Sequence, residues 1–187
     1  GNRELFKGFY QQANKDALVI DDRYNGGGFI PDRMIELLER KPVSYWTRRG
    51  GEVYSTPAFA NAGPKAMLIN GYAGSGGDAF PYYFRERGLG RIFGTTTWGG
   101  LIGLSGNPSL ADGGSLSTPS FRFMALNGQW AVEGVGVDPD VEVVDRPEAI
   151  ARGDDPTLEA AVKYLMEELA RNPPKRITAP SPPILKP

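Results

Sequence analysis

Between Asn2 and Lys15, Leu5, Phe6, Phe9 and Tyr10 recur at the spacing of one helical face, and the run Ala17-Leu18-Val19-Ile20 that follows has the length of a buried strand. After Asn25-Gly26-Gly27-Gly28, Pro31 suits the first turn of a helix whose Met34, Ile35, Leu37 and Leu38 fall at i, i+3, i+4 positions. The same strand, glycine turn, helix order returns: residues 66–69 are apolar, Asn70-Gly71-Tyr72-Ala73-Gly74 breaks the run, and a helix beginning after Ser75 continues through residues 81–87. Residues 43–46 predict another short strand. Residues 121–125 and 129–132, separated by Leu126-Asn127-Gly128, predict a hairpin, because Asn-Gly tolerates the positive φ angles of a tight turn. Residues 157–171 predict an amphipathic helix with Leu158, Ala161, Val162, Leu165 and Leu169 on one face. Six prolines in the last fifteen residues exclude a continuing helix or a ladder strand there. The pattern therefore predicts an α/β domain with a mixed sheet over residues 1–171 and a Pro-rich extension over residues 172–187.

Composition narrows the chemistry. With 187 residues, 40% of them hydrophobic, the chain has the size and make-up of one domain. Its 21 Lys and Arg against 22 Asp and Glu give no electrostatic reason to expect nucleic acid or an anionic membrane as partner. No apolar run approaches the roughly 20 residues of a membrane span. The absence of cysteine excludes a disulfide framework, a thiol nucleophile and thiolate metal sites, and the absence of histidine removes the usual base at neutral pH. With neither ligand type and no nucleotide motif, no metal or organic cofactor is expected.

Chemistry is expected at the two glycine turns. Of the 25 glycines, 13 fall between Gly71 and Gly114. Each turn follows a strand and opens a helix, so each can aim backbone N–H groups at a developing oxyanion. Ser75, flanked by Gly74 and Gly76, occupies the bend where a nucleophile would be presented. Ser75-Gly76-Gly77-Asp78 equally fits a helix N-cap with an acidic residue at N3, and the residues alone leave both readings open. Neither turn continues into Gly-Lys-Ser/Thr, and neither has the dinucleotide spacing.

Four segments in order carry a more specific likeness: Leu18-Val19-Ile20-Asp21-Asp22-Arg23-Tyr24-Asn25-Gly26-Gly27-Gly28, the Ser75 turn, Gly94-Thr95-Thr96-Thr97-Trp98-Gly99-Gly100, and Glu133-Gly134-Val135-Gly136-Val137-Asp138-Pro139-Asp140-Val141. Together they resemble the catalytic domain of the C-terminal processing peptidases, family S41, over residues 4–168, and within it the tricorn branch. The resemblance implies a crotonase/ClpP-like mixed sheet built on ββα units with flanking helices. It makes Ser75 the nucleophile, assigns the oxyanion hole to the Gly28 and Gly76 amides, and gives Glu133 the role of orienting the charge-relay partners. Glutamate in a hairpin is otherwise expected on the solvent face.

The processing-peptidase branch uses a lysine base, but the position after Gly99 is Gly100 here. The tricorn branch takes a serine and a histidine from a separate upstream domain. The resemblance thus implies a piece of a larger, homo-oligomeric enzyme acting on unfolded polypeptides or oligopeptides, with little peptidase activity in this chain alone, because an unassisted serine hydroxyl is a weak nucleophile. Gly27, Trp46 and Asp78 are expected at the substrate-binding face. Trp46 stands in Ser44-Tyr45-Trp46-Thr47-Arg48-Arg49, where tricorn-like enzymes carry an acidic residue that favours basic side chains, so an apolar or otherwise altered first-site preference is expected. Trp46 also fits ordinary core packing. The compartment implied is the cytoplasm, with the periplasm as alternative. Two other readings of the same segments are a non-catalytic module binding peptides or apolar ligands, and a crotonase-type acyl-CoA enzyme, which would not need Ser75.

Overall fold

The computed structural model describes residues 2–48, 51–175 and 177–181. The Leu5 side chain, Arg49 and residues 182–187 of the Pro-rich extension lie outside the described residues. In chain order the elements are α1 (Asn2–Gln12), β1 (Leu18–Asp21), α2 (Ile30–Leu38), β2 (Ser44–Thr47), β3 (Val53–Thr56), β4 (Lys65–Ile69), α3 (Gly76–Glu86), β5 (Gly90–Gly94), β6 (Val141–Glu142), α4 (Pro147–Ala151) and α5 (Pro156–Arg171).

Strand directions separate into two sheets. The four-stranded sheet, in order β1-β4-β5-β6, is parallel at every pairing, and antiparallel pairing is found in the ribbon β2-β3 and in isolated bridges over residues 103–130. Side chains alternate across the parallel sheet with the period of two that a strand imposes. Leu18, Ile20, Met67, Ile69 and Ile92 face one way, against Phe9 of α1, Ile35 and Leu38 of α2, and Phe80 and Phe84 of α3. Val19, Ala66, Leu68 and Phe93 face the other, against Ala161 and Leu165 of α5. Helices thus cover both faces, which is why every residue of central β4 is buried. The strand-to-helix unit occurs twice, β1 into α2 and β4 into α3, and the parallel pairing of β1 with β4 brings both turns to the same end of the sheet.

The hairpin expected over residues 121–132 forms only in part. Its Asn127-Gly128 turn closes, with the Ala125 N–H donating to the Gln129 carbonyl at 2.9 Å, but pairing reduces to a single bridge between Met124 and Trp130. Two strands alone are marginal. Here Phe123 packs edge-on against Tyr82 of α3, with ring centroids 5.0 Å apart, instead of joining a ladder.

Behind the first turn, Arg23 ties the end of β1 to the start of α5. Its fork meets Asp155 at 2.8 Å through both terminal nitrogens, Asp21 at 2.8 and 3.0 Å, and Asp145 at 3.1 Å, so all five N–H donors are engaged. These hydrogen bonds, that to Asp21 first, raise the guanidinium pKa further, and the same fork lowers that of Asp155.

Candidate active site

Ser75 stands where β4 turns into α3 with φ 55° and ψ −112°, a left-handed conformation that costs a non-glycine residue about 1–3 kcal/mol. Tertiary bonds hold it there. Its N–H donates to the Gly100 carbonyl at 2.9 Å and to Asp78 Oδ2 at 2.8 Å. Asp78 is fully buried, and its carboxylate also accepts the N–H groups of Gly99 at 2.8 Å and Gly100 at 3.1 Å. Asp78 therefore sits behind the bend, bracing it against the 99–100 segment, and is not among the residues lining the cleft.

This arrangement bears on the helix-cap reading of Ser75. The hydroxyl stands in capping-box position to Asp78, whose N–H also donates to the Ser75 carbonyl at 3.0 Å. The reciprocal bond, from the Ser75 N–H to the Asp78 carboxylate at 2.8 Å, holds the helix start whether or not the serine oxygen is engaged elsewhere.

The first glycine turn lies directly against the second. A Cβ on Gly27, whose φ is +108°, would stand 2.6 Å from Ser75 Cβ and 2.9 Å from Ser75 Oγ. A Cβ on Gly76 would stand 2.3 Å from the Gly28 carbonyl oxygen and 2.8 Å from the Gly28 nitrogen. Only glycine permits this approach. The turn is held by Asn25, whose carbonyl accepts the Gly74 N–H at 2.9 Å and whose side-chain oxygen accepts the Gly27 N–H at 3.0 Å. Among the described residues, neither the Gly28 nor the Gly76 amide has a hydrogen-bond acceptor.

Glu133 reaches the same region from the far side. Its Oε2 accepts the N–H groups of Leu101 at 2.6 Å and Ile102 at 2.7 Å, fixing the carboxylate although the residue is exposed. Ser75, Gly28, Gly76 and Glu133 line one open cleft of about 940 Å³. Phe29, Trp98, Leu101, Phe121 and Phe123 supply much of its apolar wall, and Asp32 and Arg122 are its other charged residues. Tyr83 also lines it, its phenol pushed up by burial and then by the Asp32 carboxylate. Trp98 was legible only as part of a motif. Phe121 and Phe123 fall in the segment whose pattern predicts a hairpin, and no local signal points them at Ser75.

Trp46 is not brought to this cleft. It lies on β2 with 59% of its surface exposed, neither lining the Ser75 site nor packed in a core. The Trp98 indole lies over Gly100, where a Cβ would stand 2.5 Å from its Cε3 and Cζ3 and would have to turn the ring aside. The buried Lys65 stands at the opposite end of β4 from Ser75, where its ammonium donates to the carbonyls of Asn61 and Gly63 at 2.9 and 3.0 Å.

Residues 2–143 match the sequence model of peptidase family S41. The chain belongs to that family. This S41 chain is 38% identical over 169 residues to the Tricorn protease of Thermoplasma acidophilum, a match covering 90% of this chain and 16% of that protein. Its fold superposes on the crystal structure of the tricorn protease with a TM-score of 0.86 at 37% identity, again over 90% of this chain and 16% of that one. A photosystem II D1 C-terminal processing protease shares the fold at TM-score 0.55 and 23% identity, over 88% of this chain and 42% of that one. The S41 domain described here thus spans a small part of the length of its tricorn relative.

Proposed function

We propose that this S41 domain carries the nucleophile half of a serine peptidase site acting on unfolded polypeptides or oligopeptides. The observation that carries the reading is the strained Ser75 bend pressed against two free amides, Gly28 and Gly76. Ser75 Oγ adds to the scissile carbonyl while its proton passes to a base, and the carbonyl oxygen takes the negative charge into the Gly28 and Gly76 N–H groups. The C–N bond then breaks, the amine leaves with a proton from the base, and water releases the acyl group by the reverse steps.

The base comes from outside this chain, as a serine and histidine pair of an upstream domain. The sequence holds no histidine, no lysine lines the cleft among the described residues, and residue 100, beneath the Trp98 indole, is a glycine. Glu133, fixed by two amides, orients that pair. The lining favours uncharged, apolar side chains of the substrate. In the full-length protein a serine-directed phosphonate is expected to label Ser75, and Ser75→Ala to remove both the label and peptide cleavage. Cleavage retained by Ser75→Ala would leave the serine as a helix start and favour a binding module.

A further inference from the structure

A second carboxyl group beside the site has no role in the steps above. Asp22, the residue after β1, is only 3% exposed. Its Oδ1 accepts a hydrogen bond from Asn25 Nδ2 at 2.8 Å, and its Oδ2 has no hydrogen-bond partner among the described residues. A buried carboxylate with an unpartnered oxygen is strongly disfavoured, so the group is expected to keep its proton. Its charged surroundings act in the same direction. The carboxylates facing it are Asp21 on β1 and Asp78 on α3, while the Arg23 fork is already engaged by Asp21, Asp145 and Asp155. From β4 the neighbour is the Leu68 carbonyl, which accepts the Asp22 N–H at 2.9 Å. Burial first, and then the repulsion of Asp21 and Asp78, push the Asp22 carboxyl up to about 8 from 3.8, against the opposing hydrogen bond from Asn25.

What Asp22 holds is the oxyanion turn. Asn25 makes four hydrogen bonds there: its side-chain nitrogen donates to the Asp22 carboxyl, its backbone N–H to the Asp22 carbonyl at 3.2 Å, its side-chain oxygen accepts the Gly27 N–H, and its carbonyl accepts the Gly74 N–H immediately before Ser75. The same carbonyl lies so close to Gly77 that a Cβ there would stand 2.2 Å away. Asn25 thus joins both glycine turns, and Asp22 fixes which way its amide points.

We propose that Asp22 is a positioning residue which, as a neutral carboxylic acid, locks Asn25 and through it the Gly27 and Gly28 amides, so that its ionisation loosens the oxyanion turn. The catalytic consequence rests on the peptidase reading above; the conformational one does not. A charge at Asp22 strengthens the one bond that its carboxyl accepts from the Asn25 side chain but places a second buried negative charge near Asp78, which already braces Ser75. Separation of the two carboxylates pulls on both turns.

The test follows the Asp22 carboxyl carbon and the Asn25, Gly27 and Gly28 amide signals by NMR from about pH 6 to 10 in this chain and in Asp22→Asn, a neutral isostere. The expected result is one shared midpoint near 8 in the native chain, with the amide titration absent from Asp22→Asn. Should that variant not fold, coincidence of the Asp22 carbon and the amide midpoints in the native chain still decides the matter. An Asp22 carbon already ionised at pH 6, amides that do not titrate with it, or an unchanged amide titration in Asp22→Asn overturns the proposal. In the full-length enzyme kcat should fall about tenfold per pH unit above the midpoint, with KM little changed, and Asp22→Asn should abolish that fall. A full-length protein that cleaves nothing counts against the peptidase reading alone, since the NMR result stands without it.

Discussion

The two glycine turns and the arm over residues 103–130 both border the cleft, yet they are built in opposite ways. The turns are anchored from behind by buried or half-buried side chains: Asp78 takes three backbone N–H groups, Asn25 bridges one turn to the other, and Arg23 spends all five donors on three carboxylates. The arm contains only isolated bridges and exposes Leu104, Leu110, Leu116, Met124, Leu126 and Trp130. Ser75 and the Gly28 and Gly76 amides therefore stand on a scaffold with little freedom, whereas the apolar wall of the cleft is held by few tertiary bonds. Geometry needs tight control where charge develops, and less where an apolar group is merely covered.

Breaking the strongest brace should give the largest effect. Asp78→Ala leaves the Gly99 and Gly100 N–H groups without an acceptor and the Ser75 N–H with the Gly100 carbonyl alone, so a loss of about 3–5 kcal/mol is expected in urea unfolding followed by tryptophan fluorescence. A loss under about 1 kcal/mol would show that the bend holds itself.

Arg23→Lys keeps the charge but not the fork, and should cost about 2 kcal/mol at neutral pH. The pH dependence has a definite sign. Because Arg23 lowers the Asp155 pKa, their bond adds stability above the ordinary carboxylate range, and that stability is lost as pH falls through the depressed folded value. Unfolding curves of native and variant chains should accordingly converge in acid; a gap that stays constant would assign the loss to packing.

The smallest effect is expected in the arm. Leu126 is 96% exposed, so Leu126→Ser should change stability by no more than about 0.5 kcal/mol. A larger drop in the melting temperature would mean that the arm is covered in solution.

The sequence made legible those elements whose signal is local. β1, β4 and α5 are apolar at the period their structure needs, and the glycine turns announce the two bends between strand and helix. β5 escaped because only Arg91, Ile92 and Phe93 separate its terminal glycines, and β6 because its two residues become a strand only through the edge that β5 offers. β3 carries polar residues on an exposed ribbon. At the site, Ser75 and Asp78 were both marked, but the bonds from Asp78 to Gly99 and Gly100 span more than twenty residues, so its bracing role could not be read from a local cap pattern. The same limit hid Asp22, whose burial is made by neighbours remote in sequence.

The indole of Trp98 lies across two glycines at once, Gly74 before the Ser75 bend and Gly100 beyond it. The ring is 71% exposed, so a side chain added at either glycine would turn it aside instead of meeting a fixed wall. Such a change would reshape the apolar side of the cleft before it supplied any new group. Gly74, Trp98 and Gly100, the first remote in sequence from the other two, therefore behave as one adjustable unit beside the serine.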